Sequence, residues 1–139
     1  MTLLHQATCV AIAGRAILIE GAPGSGKSSL ALALIDRGAV LVGDDGVSLT
    51  ARAGQLYASP PANIAGLLEV RNLGLLPFPT VGDVPVALVV RLDAAAERFI
   101  EAAERVNLGG VELPMVRLRP GGELLALKVE LAVRQFGLG

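Results

Sequence analysis

The sequence predicts one α/β domain built around a phosphate-binding loop. Two observations carry that prediction. The first third of the chain runs strand, glycine-rich loop, helix, strand, which is the order of an α/β unit. The chain has 139 residues, 53% of them hydrophobic and 18% charged, which suits one domain with a sizeable core.

The elements follow in order. Ala7–Ala13 and Ala16–Glu20 are short apolar runs joined by Gly14-Arg15, a connection typical of a hairpin. After the glycine-rich loop, Lys27–Arg37 reads as a helix with Leu30 and Leu34 on its buried side and Gly38 just past its end. Ala39–Val42 is a continuous apolar run, as expected of a strand covered on both faces, and leads into Gly43-Asp44-Asp45-Gly46. Val47–Ala51 and Gln55–Ala58 pair across a turn at Ala53-Gly54. Pro60-Pro61 breaks the pattern, and Asn63–Glu69 fits either a short helix or a loop. Val84–Leu92 is the strongest later strand. Ala94–Arg105 has helical composition, with Phe99, Ile100 and Ala103 able to share a face. Val111–Leu118 is a strand, Pro120-Gly121-Gly122 a turn, and Glu123–Phe136 a second helix.

Composition removes several classes of function. A net charge of −1 and scattered basic residues argue against nucleic acid, and 3% aromatic residues leave no stacking platform for single strands. The apolar runs Ala7–Ala13 and Val84–Val90 are far shorter than the ~18 residues of a membrane span. No basic region precedes the first of them, so a signal peptide is not expected. Cys9 lies in an apolar run and reads as a core residue. The expectation is a cytoplasmic domain with no membrane partner.

Gly21-Ala22-Pro23-Gly24-Ser25-Gly26-Lys27-Ser28 matches the G-x-x-x-x-G-K-[ST] pattern at every fixed position. A strand precedes it and a helix follows, as the mechanism requires. Glycines let successive backbone N–H groups converge on phosphate oxygens, and the helix N-terminus adds partial positive charge. Lys27 would reach the β- and γ-phosphates, and the Ser28 hydroxyl would ligate Mg²⁺. A chance match arises in on the order of one chain in a hundred. Lys27 and Lys128 are the two lysines of the chain, and one of them falls on the required position. ATP is the expected ligand.

Asp44-Asp45 ends the next strand. In α/β sheets ligands sit beyond the carboxyl ends of the strands, so these acids should face the phosphates. One would hold Mg²⁺ and the other would accept a proton from an attacking hydroxyl. A solvated Asp-Gly turn is the alternative. Glu69 and Arg71, two apart, would share a strand face, either toward the site or as a surface ion pair. His5, the one histidine, reads by itself as a surface residue near a terminus.

The order His5, Gly21–Ser28, Asp44-Asp45 and Leu68-Glu69-Val70-Arg71-Asn72-Leu73-Gly74 resembles the catalytic domain of the HPr kinase/phosphorylases. It is most similar to the short alphaproteobacterial form that lacks the usual N-terminal domain. The resemblance implies a P-loop kinase-like domain with a central mixed sheet, the fold shared with phosphoenolpyruvate carboxykinases. It implies a homo-oligomer that uses ATP and Mg²⁺ to phosphorylate a serine of HPr, the phosphocarrier of the sugar phosphotransferase system. Many members also remove that phosphate by phosphorolysis. By motif position, Asp45, with Asp44, would be the base, and Glu69 a second Mg²⁺ ligand. Arg71 would belong to the same signature, His5 would be the active-site histidine, and Arg105 would handle phosphate. Arg117–Gly122 would be the loop linked with dephosphorylation. The chain departs from the family pattern at Ser29, usually acidic, at Asn72, usually glycine, and at Gly122, usually arginine. It ends at Gly139, where the family's C-terminal helices would continue and help to dock HPr.

Two rival readings remain at this level. One is a small-molecule kinase, for which Arg117 and Arg119 would supply a thin lid. The other is a module that binds ATP and signals without catalysis. A GTPase is disfavoured, since no Asn-Lys-x-Asp motif is present.

Overall fold

The computed structural model describes residues 2–63 and 66–139. Three strands open the chain: β1 (Thr2–His5), β2 (Thr8–Ile12) and β3 (Arg15–Glu20). Helix α1 (Lys27–Asp36) follows the glycine-rich loop, and β4 (Val40–Gly43), β5 (Val47–Arg52) and β6 (Gln55–Ser59) come next. Then come β7 (Leu67–Val70), β8 (Gly74–Pro77), β9 (Val84–Leu92), β10 (Glu104–Leu108), β11 (Val111–Leu118) and α2 (Leu125–Phe136). No helix among the described residues is long and apolar enough to cross a membrane.

Strand β9 is the spine. It pairs in parallel with β3 along one side. Along its other side it pairs with β6 at its start and with β11 at its end, so the sheet divides there. The main path runs β1-β5-β6-β9-β3-β2-β4, with β10 added beyond β11. Strand β2 is antiparallel to both β3 and β4, which makes β4 run the same way as β3, β9 and β11. The carboxyl ends of these four strands therefore share one edge, and the glycine-rich loop and Asp44-Asp45 both emerge there.

Side-chain alternation along β3 divides the interior in two. Ile17 and Ile19 face a core closed by Leu30, Ala31 and Leu34 of α1 and by Val129 and Val133 of α2. Ala16 and Leu18 face the opposite core, closed by Val47, Leu49, Leu56 and Ala58 of the antiparallel arm. The central strands are thus covered on both faces, which explains their uninterrupted apolar runs. Cys9 is fully buried in the second core, where burial pushes its thiol far above the usual range and leaves it chemically quiet. Helix α1 ends as expected, with Ala39 N–H donating to the Leu34 carbonyl around Gly38 at φ +108°.

Three parts differ from the sequence expectation. Ala94–Arg105 is not a helix: it leaves β9 through a turn, runs irregularly and enters β10. Tertiary contacts outweigh its helical composition. The Asp93 carboxylate accepts a hydrogen bond from Ala95 N–H, Arg119 holds the Ala96 carbonyl, and Glu104 onward pairs with β11. Phe99, expected to share a helix face with Ile100 and Ala103, is 77% exposed. The second difference lies in Asn63–Glu69, whose residues 64 and 65 fall outside the described residues; from Leu67 it is a strand that pairs with β8. The third is β1, too short to signal itself, which pairs with β5.

Candidate active site

Three acids converge on the glycine-rich loop. A cavity of about 500 Å³ is lined by Pro23, Gly24, Gly26, Lys27, Ser28 and Ser29, by Asp44 and Asp45, and by Glu69 and Arg71. The structure therefore brings together the loop, the acid pair and the β7 segment. It does so through two supports: β4 delivers the acids at the shared edge, and β7 packs Leu68 and Val70 into the core of α1.

Asp44 ties these pieces together. Its Oδ1 accepts hydrogen bonds from Ser28 Oγ at 2.7 Å and from Thr8 Oγ1 at 3.0 Å, and its Oδ2 accepts from Glu69 N–H at 2.9 Å. One carboxylate thus positions the P-loop hydroxyl and the start of the Glu69-x-Arg71 segment. Thr8, 1% exposed, is a polar side chain inside the core. The sequence reading passed over it, although a threonine between Ala7 and Cys9 is a polar break in an apolar strand.

Asp45 is different. It is exposed, lines the same cavity, and has φ +60°. Aspartate and asparagine tolerate that left-handed conformation better than most residues. The turn beneath it depends on Gly43, where a Cβ would collide with the carbonyl of Gly46. A side chain at 43 would force both acids to move. Asn72, in the β7–β8 hairpin, has φ +74°, and Leu73 N–H closes the turn on the Val70 carbonyl at 2.9 Å. Glycine or asparagine meets that requirement.

Lys27 Nζ donates to the carbonyls of Gly21 and Ala22 at 3.0 and 3.2 Å. The ammonium thus sits at the start of the loop with no carboxylate holding it among the described residues. Gly21 is needed for close approach: a Cβ there would lie 2.5 Å from Ser25 Oγ and 3.2 Å from Leu92 Cβ. The donors suit Mg²⁺, since Ser28, Asp44, Asp45 and Glu69 offer hard oxygens and, among the described residues, neither histidine nor cysteine lines this cavity. No cluster of three or more potential metal ligands exists among the described residues.

His5 falls in a neighbouring cavity of about 460 Å³, which meets the loop at Gly21 and Ala22 and also contains Glu20, Arg91, Asp93 and Arg117. His5 Nε2 lies 2.7 Å from Glu20 Oε2, and Arg91 donates to Glu20 Oε1 at 2.8 and 3.2 Å. Glu20 was not anticipated. Its signal is an acid closing an otherwise apolar strand immediately before the P-loop. The hydrogen bond from His5 and then the charge and hydrogen bonds of Arg91 hold its carboxyl below the usual carboxylate range. The unfolded chain therefore takes up this proton at a higher pH than the folded one. The stabilisation is complete above an unfolded value near 4.3 and is lost as pH falls through the lower folded value. Glu20→Gln is expected to remove that loss, giving a shallower decline of thermal midpoint below about pH 4.5 than in the parent.

Arg105 lies exposed on β10 and lines neither cavity. The structure does not bring it to the loop. Arg117 is held by Glu104 and Asp93, and Arg119 by the Ala96 carbonyl. Both anchor the 93–104 segment, which is poor service for a mobile lid.

Loop, shared strand edge and acid pair define a P-loop α/β domain. Residues 2–138 match the family described as HPr Serine kinase C-terminal domain, and the chain belongs to that family. It is 38% identical over 137 residues to the HPr kinase/phosphorylase of Cupriavidus necator, a match covering 88% of this chain and 42% of that protein. To the HPr kinase/phosphorylase of Clostridium tetani it is 45% identical over 80 residues, covering 58% and 26%. The solved HPr(Ser) kinase/phosphatase from Coxiella burnetii superposes with a TM-score of 0.85 at 27% identity, over 95% of this chain and 88% of that one. The mixed sheet and family expected from the sequence are borne out. The chain spans about 42% of the length of curated relatives such as the Cupriavidus necator protein.

Proposed function

We propose that this domain is an ATP-dependent protein-serine kinase acting on an HPr-like phosphocarrier of a bacterial phosphotransferase system. The observation that carries the proposal is the joining of Ser28 Oγ to Asp44 while Asp45, beside it, keeps its carboxyl open to the cavity. That arrangement separates two tasks. Ser28, Asp44 and Glu69 would hold Mg²⁺, which when bound supplies positive charge to the phosphate oxygens. Asp45 accepts the proton of the serine hydroxyl as its oxygen attacks the γ-phosphorus. The bond between the γ-phosphorus and the bridging oxygen breaks, and its electrons leave with ADP. Lys27, held at the start of the loop by the Gly21 and Ala22 carbonyls, would neutralise the β- and γ-phosphates, where charge develops. Arg71 lines the same cavity and would steady the phosphates from the hairpin side.

The forward reaction is the one proposed. Gly122 departs from the arginine that the resemblance implies at the end of the Arg117–Gly122 loop. The test incubates the chain with γ-labelled ATP, Mg²⁺ and HPr, beside HPr whose target serine is alanine. Label on the first and none on the second is expected. An unlabelled wild-type HPr would refute the substrate assignment.

A further inference from the structure

We propose that the nucleoside of the bound nucleotide rests against the β7–β8 hairpin, with Leu67 and Leu75 forming its apolar wall. This rests on the nucleotide reading above. The direction of the triphosphate comes first. The helix end of a P-loop cradles the inner phosphates, whereas its lysine serves the outer ones. Lys27 Nζ lies at the carbonyls of Gly21 and Ala22, so the terminal phosphate points toward the start of the loop. The nucleoside must then leave past Ser28 and Ser29.

What stands on that side is the hairpin. Ser28, Ser29, Leu67 and Leu75 line one cavity. Alternation along β7 turns Leu68 and Val70 into the core and leaves Leu67, Glu69 and Arg71 facing the cavity. Leu75, on β8, pairs directly with Glu69 of β7 and shares that face. Leu75 is 64% exposed and Leu67 39% exposed, so two large apolar side chains stand bare beside a phosphate site. Apart from Pro23 of the loop, they are the apolar side chains that line this cavity among the described residues, the others being polar, charged or glycine. Among the described residues no phenylalanine or tyrosine lines it, so the base would be held by aliphatic contact on its face, not by aromatic stacking. A flat heterocycle attached to a triphosphate fits this pairing of a cradle with an apolar wall.

The test measures binding of Mg²⁺–ATP and of Mg²⁺–tripolyphosphate, by calorimetry, to the parent chain and to Leu75→Ser. Since Leu75 is mostly exposed, the substitution should leave the thermal midpoint unchanged. ATP is expected to weaken about five- to tenfold and tripolyphosphate to be held within about twofold, because only ATP would bury the leucine. Unchanged ATP affinity, or equal weakening of both probes in a variant with an unchanged midpoint, would overturn the subsite. Failure of tripolyphosphate and ATP alike to bind the parent chain would overturn the nucleotide reading, and the subsite with it.

Discussion

Asp45→Asn is expected to slow phosphoryl transfer to HPr by about a thousandfold while ATP stays bound, since a positioned general base contributes roughly 10²–10⁴ in rate. The change suits this position. Asparagine tolerates the left-handed backbone that Asp45 adopts at φ +60°, so the turn between Gly43 and Gly46 should keep its form. Alanine would tolerate that φ less well and would confound the reading with strain. Asp45 is exposed and lines the cavity, so the substitution removes a carboxylate without emptying part of the core. ATP affinity should hold or rise slightly, because a negative charge is taken from the neighbourhood of the phosphates. Quenched-flow transfer assays beside equilibrium ATP binding separate the two effects. Transfer within tenfold of the parent would remove Asp45 from the role of base.

Lys27→Met should be as severe in rate and should also weaken nucleotide binding. Losing one preorganised donor to developing charge costs about 10²–10³ in rate. Here the lost donor also carries a full charge, and Lys128, the other lysine, lies on α2 in a different part of the chain. Methionine preserves the length of the side chain and removes its charge, so the fold should remain. Lys27 is bonded in the structure to loop carbonyls rather than to a carboxylate, which predicts little change in thermal midpoint without nucleotide. With saturating Mg²⁺–ATP the parent should gain stability that the variant lacks. Equal stabilisation of both by ATP would place the nucleotide elsewhere.

How much of this was legible in the sequence depended on whether the signal was local. The loop, α1 and the acid pair are local: each is a short run whose neighbours in sequence are its neighbours in space. The pairing of β5 with β6 across Ala53-Gly54 was legible for the same reason. Val84–Leu92 was legible as a strand because Val86–Val90 is an uninterrupted apolar run. Long-range contacts decided what was missed. Nothing local shows that Arg117 and Arg119 hold the 93–104 segment out of a helix. Nothing local shows that Thr8 reaches Asp44 across 36 positions, or that Glu20 gathers His5 and Arg91 from 15 and 71 positions away. His5 and Arg105 were carried by motif position alone. The structure sets the first in an adjoining cavity and the second away from both.

The proposed division of labour between Asp44 and Asp45 also rests on contacts that are not local. Sequence offered two acids at a strand end and two tasks. The hydrogen bonds of Ser28, Thr8 and Glu69 N–H all fall on Asp44, which commits that residue to organising the loop. Under the proposed mechanism, Asp45 would take the proton.

The most direct test is single-turnover transfer from γ-labelled ATP, prebound with Mg²⁺ to the domain, on addition of HPr. The account predicts that label leaves ATP and appears on one serine of HPr in the parent chain. It also predicts that Asp45→Asn, loaded with the same amount of ATP, retains the label on ATP over the same interval. Label that stays on ATP in both proteins, or that moves equally fast in both, would contradict it.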